Sequence, residues 1–235
     1  RWRLVRARST PSRTEHLATA LAAHDRMRWV RASRDHGELV YGLVSPDAST
    51  DGVLQRLPNL PGVRSMTAYE LLQVWPPRGG EAVVVPPAPL DALDRRIIDV
   101  LSTDGRTSNR EIARTTRVNE TTVARHRARL EEWGVLYYEA DIAQAAVGRR
   151  HDAMLWMDVA PGHIVEAGTR LQALPECRFV AVTSGPSTLV ANVATESAPA
   201  LVALVDTHLA GVVRRVEMLT MGRVFKRHAG PSTPV

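Results

Sequence analysis

The feature that most constrains the fold is an internal repeat. An offset of 150 residues aligns residues 2–75 with residues 152–225 without a gap, and 13 of the 74 aligned pairs are identical. Roughly five identities would be expected by chance in a chain this rich in Ala, Val, Arg and Leu. Aromatic positions also match, since Trp29 aligns with Phe179 and Trp75 with Phe225. The chain therefore contains two copies of one folding unit, named here the first and the second repeat.

Each repeat is predicted to contain six elements in the order β-α-β-β-α-β. In the second repeat, apolar patterning predicts strands at 153–159, 177–183, 188–195 and 213–221, and helices at 163–174 and 200–209. This order is that of the ferredoxin-like fold, a four-stranded antiparallel sheet with both helices on one face. The other face is left open, so we expect the two repeats to pair through their sheets as a pseudo-dimer.

The segment between the repeats predicts a linker followed by a separate domain. Residues 76–89 hold five prolines and two glycines, which indicates a linker, although residues 83–85 are either a strand or a segment lying on a neighbour. We predict domains at 1–75, 90–148 and 150–227, with a tail at 228–235. The predicted fold class is α+β, with a winged helix-turn-helix domain between two ferredoxin-like domains.

Three short helices are predicted in the middle domain. The first follows a cap at Asp91 and ends near residue 101, the second is capped by Thr107 or Ser108, and the third runs from Glu120 to Gly134. Residues 117–119 form a three-residue turn between the second and third helices. This spacing is typical of a helix-turn-helix, whose third helix enters the DNA major groove.

Positive charge is concentrated in the same segment. Residues 105–130 contain seven arginines and two glutamates, a net charge of +5 that equals the net charge of the whole chain. Clustering of this kind indicates a surface that meets phosphates. Arg125 is placed to reach a guanine edge or a phosphate, and His126 and Arg129 are expected to face solvent and contact the DNA backbone. The predicted DNA-binding residues are Arg106, Ser108, Asn109, Arg117, Asn119, Glu120, Thr121, Thr122, Arg125, His126 and Arg129.

Residues 90–98, 104–113 and 122–136 together resemble the opening of the Lrp/AsnC (feast/famine) transcriptional regulators. That family joins a winged helix-turn-helix to a ferredoxin-like ligand-binding and oligomerisation domain of the RAM type, and Val147-Gly148 resembles its interdomain junction. The resemblance implies a tandem regulator with two effector domains, and a first helix-turn-helix upstream of Arg1. It also implies double-stranded DNA as partner, a small-molecule effector such as an amino acid, and assembly as a homo-oligomer or as an intrachain pseudo-dimer.

Two positions depart from the family pattern. The family has glycine in the turn before the third helix, where this chain has Arg117. The family's effector hairpin resembles Gly-x-x-Asp, and each repeat keeps only half of it. The second repeat retains its glycine but has threonine at the acidic place, whereas the first repeat has aspartate for the glycine and glutamate for the acid. The predicted effector-binding residues are Asp35, Glu38, Gly185, Ser187 and Thr188.

Other classes of function find little support in the sequence. No His-x-x-x-His, Cys-x-x-Cys or Gly-rich phosphate loop is present, so we predict no catalytic residues, no metal and no cofactor. The single cysteine, Cys177, and the lack of a long apolar run predict a cytoplasmic protein without a membrane span. The expected function is a sequence-specific, metabolite-modulated transcriptional regulator. The alternatives are an enzyme resembling sirohaem decarboxylases, and a metabolite sensor that does not read DNA.

Overall fold

The structure is a computed structural model that describes residues 2–24, 26–44, 52–75, 83–84, 89–133, 135–136, 147–227 and 230–231. Gly134, predicted to end the third helix, lies outside the described residues, as does most of the predicted tail. Residues 137–146, where a wing would follow the third helix, also lie outside them. No described helix has the length and apolar character needed to cross a membrane.

The first repeat has the predicted βαββαβ order. Its elements are β1 (Trp2–Ser9), α1 (Pro11–Ala22), β2 (Met27–Ser33), β3 (Glu38–Val44), α2 (Gly52–Arg56) with a 3-10 turn at Leu57–Asn59, and β4 (Val63–Trp75). A short strand, β5 (Val83–Val84), pairs with the end of β4. The sequence left this segment open between a strand and a segment on a neighbour, and the structure has a strand there.

The middle segment forms three helices, α3 (Ala92–Thr103), α4 (Asn109–Thr116) and α5 (Glu120–Glu132). Their apolar faces meet in a small core of their own. The fully buried members of that core are Ile97, Ile112, Val123 and Leu130. Helix α3 extends two residues beyond its predicted end, and Trp133, predicted on the buried stripe, is half-buried.

The second repeat has the same order as the first. Its elements are β6 (His151–Val159), α6 (Ile164–Gln172), β7 (Cys177–Thr183), β8 (Leu189–Thr195), α7 (Ala198–Leu209) and β9 (Val213–Arg227), and a short β10 (Gly230–Pro231) pairs with β9. Helix α6 is shorter at both ends than predicted, and β9 runs six residues past its predicted end. The fold is therefore α+β, with helix-turn-helix elements between two ferredoxin-like units.

The strands of both repeats join into a closed ring. The sheet order is β4-β1-β3-β2 in the first repeat and β9-β6-β8-β7 in the second, and the pairs β2–β9 and β7–β4 close the ring. The long strands β4 and β9 each pair first with their own repeat and then with the other repeat. The extra length of β9 follows from this second pairing, because its last residues find hydrogen-bond partners on β2.

Three apolar cores hold the ring together. In each repeat one core lies between the helices and the sheet, and a third core, which includes Leu4, Tyr69, Met154 and Trp156, contains residues of both repeats. The repeats also exchange side chains, since Trp75 of β4 packs in the helix-covered core of the second repeat and Phe225 of β9 packs against that of the first. The aligned aromatic pair of the sequence thus occupies equivalent places.

Candidate nucleic-acid interface

Helix α4 and the turn after it set the direction of α5. Ser108 caps α4, its hydroxyl accepting a hydrogen bond from the backbone N–H of Glu111. At the other end, Arg117 has left-handed backbone angles (φ 58°, ψ 42°), and the Val118 N–H bonds back to the carbonyl of Ala113. This is the usual geometry for a glycine after a helix. A side chain there costs about 1 kcal/mol, so the turn keeps the family shape without the family residue.

The first turn of α5 presents polar side chains. Asn119, Glu120, Thr121 and Arg125 are exposed, and Thr122 is half-buried. Asn119 holds the N-cap position in an extended conformation, and its side chain makes no capping hydrogen bond. The first N–H groups of α5 therefore lack a side-chain cap, which is the condition under which a helix N-terminus accepts a phosphate.

His126 is a correction to the sequence-based prediction. It was expected to face solvent, but it is buried on the same stripe as Val123 and Leu130. Its Nδ1 lies 2.8 Å from Oδ1 of Asp94, a carboxylate that is only 1% exposed in the first turn of α3. His126 therefore joins α5 to α3 and does not lie on the exposed surface.

Arg129 likewise contacts protein. Its Nη2 donates to both carboxylate oxygens of Asp94 at 2.7 Å and to Asp91 at 3.3 Å, and its guanidinium lies 4.9 Å from the centre of the Trp133 ring. Arg129, which was expected to contact the DNA backbone, thus forms an ion pair that joins α5 to the capped end of α3. Asp91 and Asp94 form a capping box there, each side chain accepting from the other's backbone N–H.

Burial alone would raise the pKa of Asp94, but the hydrogen bonds from His126 and Arg129 outweigh it and hold that pKa below its usual range. Donor atoms of Asp91, Asp94 and His126 all lie within 4.8 Å of one another, a spacing that suits a metal ion. The guanidinium of Arg129 already supplies a cation at Asp94. We therefore interpret this cluster, named the α3–α5 latch, as an ion-pair network.

A second side-chain contact joins α4 to α5. Nη1 of Arg127 donates to Oδ1 of Asn109 at 2.9 Å, and its Nε donates to Glu131 at 3.2 Å. Asn109, predicted to contact DNA, is half-buried and has this partner within the domain.

The remaining arginines form the exposed basic surface. Arg106, Arg110, Arg117 and Arg125 are exposed, and within the described part of the chain none of them has an ion-pair partner. Arg114 is exposed and lies 3.7 Å from Glu111. Arg110 and Arg114 are four residues apart, which places them on the same side of α4, and Arg117 lies in the turn that follows the helix. Ser108 is exposed at its start.

The two predicted effector residues of the first repeat differ in burial, since Asp35 is exposed and Glu38 is half-buried. Asp35 is on the outside of the β2–β3 turn, where hydrogen bonds from Ser33 and from the Gly37 N–H lower its pKa. Glu38 is half-buried at the start of β3 and accepts two hydrogen bonds from Arg6. Arg6 was not predicted, although an arginine among the inward-facing residues of an apolar strand was a visible signal.

In the second repeat the hairpin packs against β4 of the first. Gly185 (φ 101°) lies beside the ring of Tyr69, and Ser187 is near enough to the Tyr69 hydroxyl to oppose the rise in its pKa that burial causes. Thr188 is held by its N–H, which donates to Met157 at 2.9 Å. Tyr69 is also close enough to Arg6 and Glu38 to feel their charges, so Glu38 and Ser187 from different repeats approach one region while Asp35 stays outside it.

The geometry defines a helix-turn-helix protein with a basic exposed surface on paired ferredoxin-like units, and the comparisons with known proteins agree. A family model for the AsnC-type helix-turn-helix domain matches residues 90–131. The HTH-type transcriptional regulator FL11 of Pyrococcus horikoshii is 31% identical over 141 residues, covering 60% of this chain and 92% of that protein. The chain belongs to the Lrp/AsnC family of HTH-type transcriptional regulators.

Solved structures extend the likeness. The leucine response regulatory protein LrpA of Mycobacterium tuberculosis is 27% identical with a TM-score of 0.53, over 59% of this chain and 97% of that one. The sirohaem decarboxylase NirDL is 15% identical with a TM-score of 0.70, over 97% of this chain and 72% of that one. Because the second match covers nearly the whole chain, the arrangement of two repeats with a helical domain between them is a fold that a solved structure also has.

Proposed function

We propose that this chain is a sequence-specific DNA-binding transcriptional regulator whose helix α5 reads the major groove. The observation that carries the proposal is the exposed start of α5, where Thr121 and Arg125 are open to solvent while the α3–α5 latch and the Arg127–Asn109 hydrogen bond hold the helix on α3 and α4. Thr121, Thr122 and Arg125 would meet base edges. Arg106, Ser108, Arg110, Arg117 and Asn119 would meet phosphates.

The test is a selection of duplexes from a random library, followed by affinity measurements on the selected sequence at several salt concentrations. Arg125→Ala should weaken binding by about 5- to 150-fold if Arg125 contacts a base pair. Arg117→Ala, removing one phosphate contact, should lower the slope of log affinity against log salt by about 0.9. Arg214→Ala is the matched control, because Arg214 is an exposed arginine on the sheet strand β9. Equal affinities for Arg125→Ala and Arg214→Ala would refute the proposal.

We also propose that the two repeats are effector domains for an amino acid or a related small metabolite. Glu38 and Ser187 approach one region from different repeats, which supports a site there. A ligand ammonium group would have to replace Arg6 at Glu38. Thermal unfolding with each of the twenty amino acids tests this, because a ligand of the native state raises the melting temperature. Glu38→Gln should abolish the shift and the exposed Glu196→Gln should not; a shift that survives Glu38→Gln would place the ligand elsewhere.

A second candidate is a tetrapyrrole-handling enzyme, favoured by the likeness to NirDL over nearly the whole chain. That likeness extends to the fold alone. Addition of a ferric tetrapyrrole to the protein distinguishes the two candidates, because a new absorption band at a 1:1 ratio favours the enzyme, and an unchanged spectrum together with selected DNA sequences favours the regulator.

A further inference from the structure

The contact between the two repeats contains residues that differ between them. Arg6 and Trp156 occupy equivalent positions in the repeat, and they touch, because Cζ of Arg6 lies 4.5 Å from the centre of the Trp156 ring. A residue that contacts its own equivalent lies on the approximate twofold axis of the pair. A symmetric dimer has the same side chain twice on its axis, whereas this chain has an arginine on one side and a tryptophan on the other.

Arg6 makes charged hydrogen bonds to Glu217 across this axis and to Glu38 of its own repeat. Its Nη1 donates to Oε2 of Glu217 at 3.0 Å, and its Nη2 donates to Oε1 of Glu217 at 2.6 Å and to Oε1 of Glu38 at 2.9 Å. The side chain of Arg6 is only 11% exposed, so its charge depends on these two carboxylates. The positions equivalent to Glu217 and Glu38 hold Thr67 and Thr188, neither of which carries charge.

Two more polar contacts between the repeats share this asymmetry. Nη2 of Arg31 lies 2.7 Å from Oδ2 of Asp152, and Ser187 lies close to the hydroxyl of Tyr69. The equivalents of these four residues are Ala181, Trp2, Leu219 and Gly37 respectively. Neither contact can therefore recur at the symmetry-related place.

Pairing of like repeats would lose all three contacts. Two first repeats would bring two Arg6 guanidinium groups together on the axis and would place Thr67 where Glu217 stands. Two second repeats would leave each Glu217 without Arg6, and each Asp152 would lose Arg31 and keep only the more distant Arg178 of its own repeat, at 3.6 Å. Bringing two like charges together, or removing one partner of a partly buried ion pair, is unfavourable. We infer that the sheet surface of each repeat accepts the unlike repeat as its partner, so that the chain pairs internally and like repeats do not pair.

The test uses the full chain and compares two triple variants with the six-fold variant that combines them. The first, Trp156→Arg, Thr188→Glu and Glu217→Thr, gives the second repeat the axis residues of the first. The second, Arg6→Trp, Glu38→Thr and Thr67→Glu, does the reverse. The six-fold variant contains both sets, has the composition of the natural chain and restores unlike residues across the axis.

Thermal unfolding is the measurement. Each triple variant should melt about 5–10 °C below the natural chain, since a few kcal/mol of interface energy are lost. The six-fold variant should recover at least half of the summed loss. Where a triple variant does not fold, the six-fold variant should still fold and melt cooperatively. Additive losses, triple variants that melt with the natural chain, or a six-fold variant that does not fold would each overturn the inference. The result does not depend on DNA binding.

Discussion

The exchange of Trp75 between the repeats makes Gly168 a sensitive position. A Cβ at Gly168 of α6 would lie 2.4 Å from Cζ2 and Cη2 of Trp75, far inside the contact distance of about 3.5–4.0 Å. Trp75 is 3% exposed, so its ring has little room to move. Overpacking of this kind costs about 1–3 kcal/mol, and alanine returns up to about 1 kcal/mol through its helix propensity. Gly168→Ala should therefore destabilise the protein, by up to about 2 kcal/mol when the full helix-propensity gain of alanine is realised.

The first repeat supplies the compensating change. The equivalents of Gly168 and Trp75 are Ala18 and Phe225, so alanine with phenylalanine is a combination that this fold already contains. Trp75→Phe alone should cost about 1–2 kcal/mol through the space it leaves. The double variant Gly168→Ala, Trp75→Phe should lose at least about 1 kcal/mol less than the sum of the single losses.

Urea unfolding of the four proteins, followed by circular dichroism, measures this cycle. Val165→Ala is the control for a substitution to alanine in α6. Val165 is exposed, so this change should alter stability by less than about 0.5 kcal/mol. Additive losses in the double variant, or a Gly168→Ala variant more stable than the natural chain, would refute the packing of Trp75 against α6.

Three further predictions concern single residues. Arg117→Gly should raise the melting temperature by about 2–4 °C relative to Arg117→Ala, because glycine relieves the left-handed backbone, while both variants bind DNA more weakly than the natural chain. The pKa of Asp94 is lower in the folded protein than its ordinary value of 3.8, so the stability that Asp94 contributes is present above pH 3.8 and is lost as the pH falls through the folded pKa. The free energy of unfolding, measured between pH 7 and pH 2, should show this loss. Asp94→Asn should reduce the dependence of that free energy on pH. Burial raises the pKa of the Cys177 thiol to about 12, so a thiol reagent at pH 8 should label Cys177 only after unfolding, and rapid labelling of the folded chain would contradict this.

Local patterns in the sequence predict most of the fold. The offset of 150 residues gives both repeats at once, and strand β7 is observed at its predicted bounds. The cap at Asp91 is also confirmed, and of the two candidates Thr107 and Ser108 the structure has Ser108 as the cap, because capping depends on neighbouring residues alone. The closure of the ring is a long-range property, since the second pairings of β4 and β9 depend on strands from the other repeat.

The site was harder to predict because polar side chains of one helix face different surroundings. Val123, His126 and Leu130 follow one another at spacings of three and four residues, so helical periodicity alone places His126 inward. An inward titratable residue needs a partner, and Asp94, at the third position after the Asp91 cap, is such a partner on the neighbouring helix. Arg129 lies one turn further and completes the same latch. The sequence-based prediction placed His126 and Arg129 on the solvent-facing side of α5 together with Thr121 and Arg125. Helical periodicity separates His126 from the exposed residues, and the ion pair with Asp94 separates Arg129 from them.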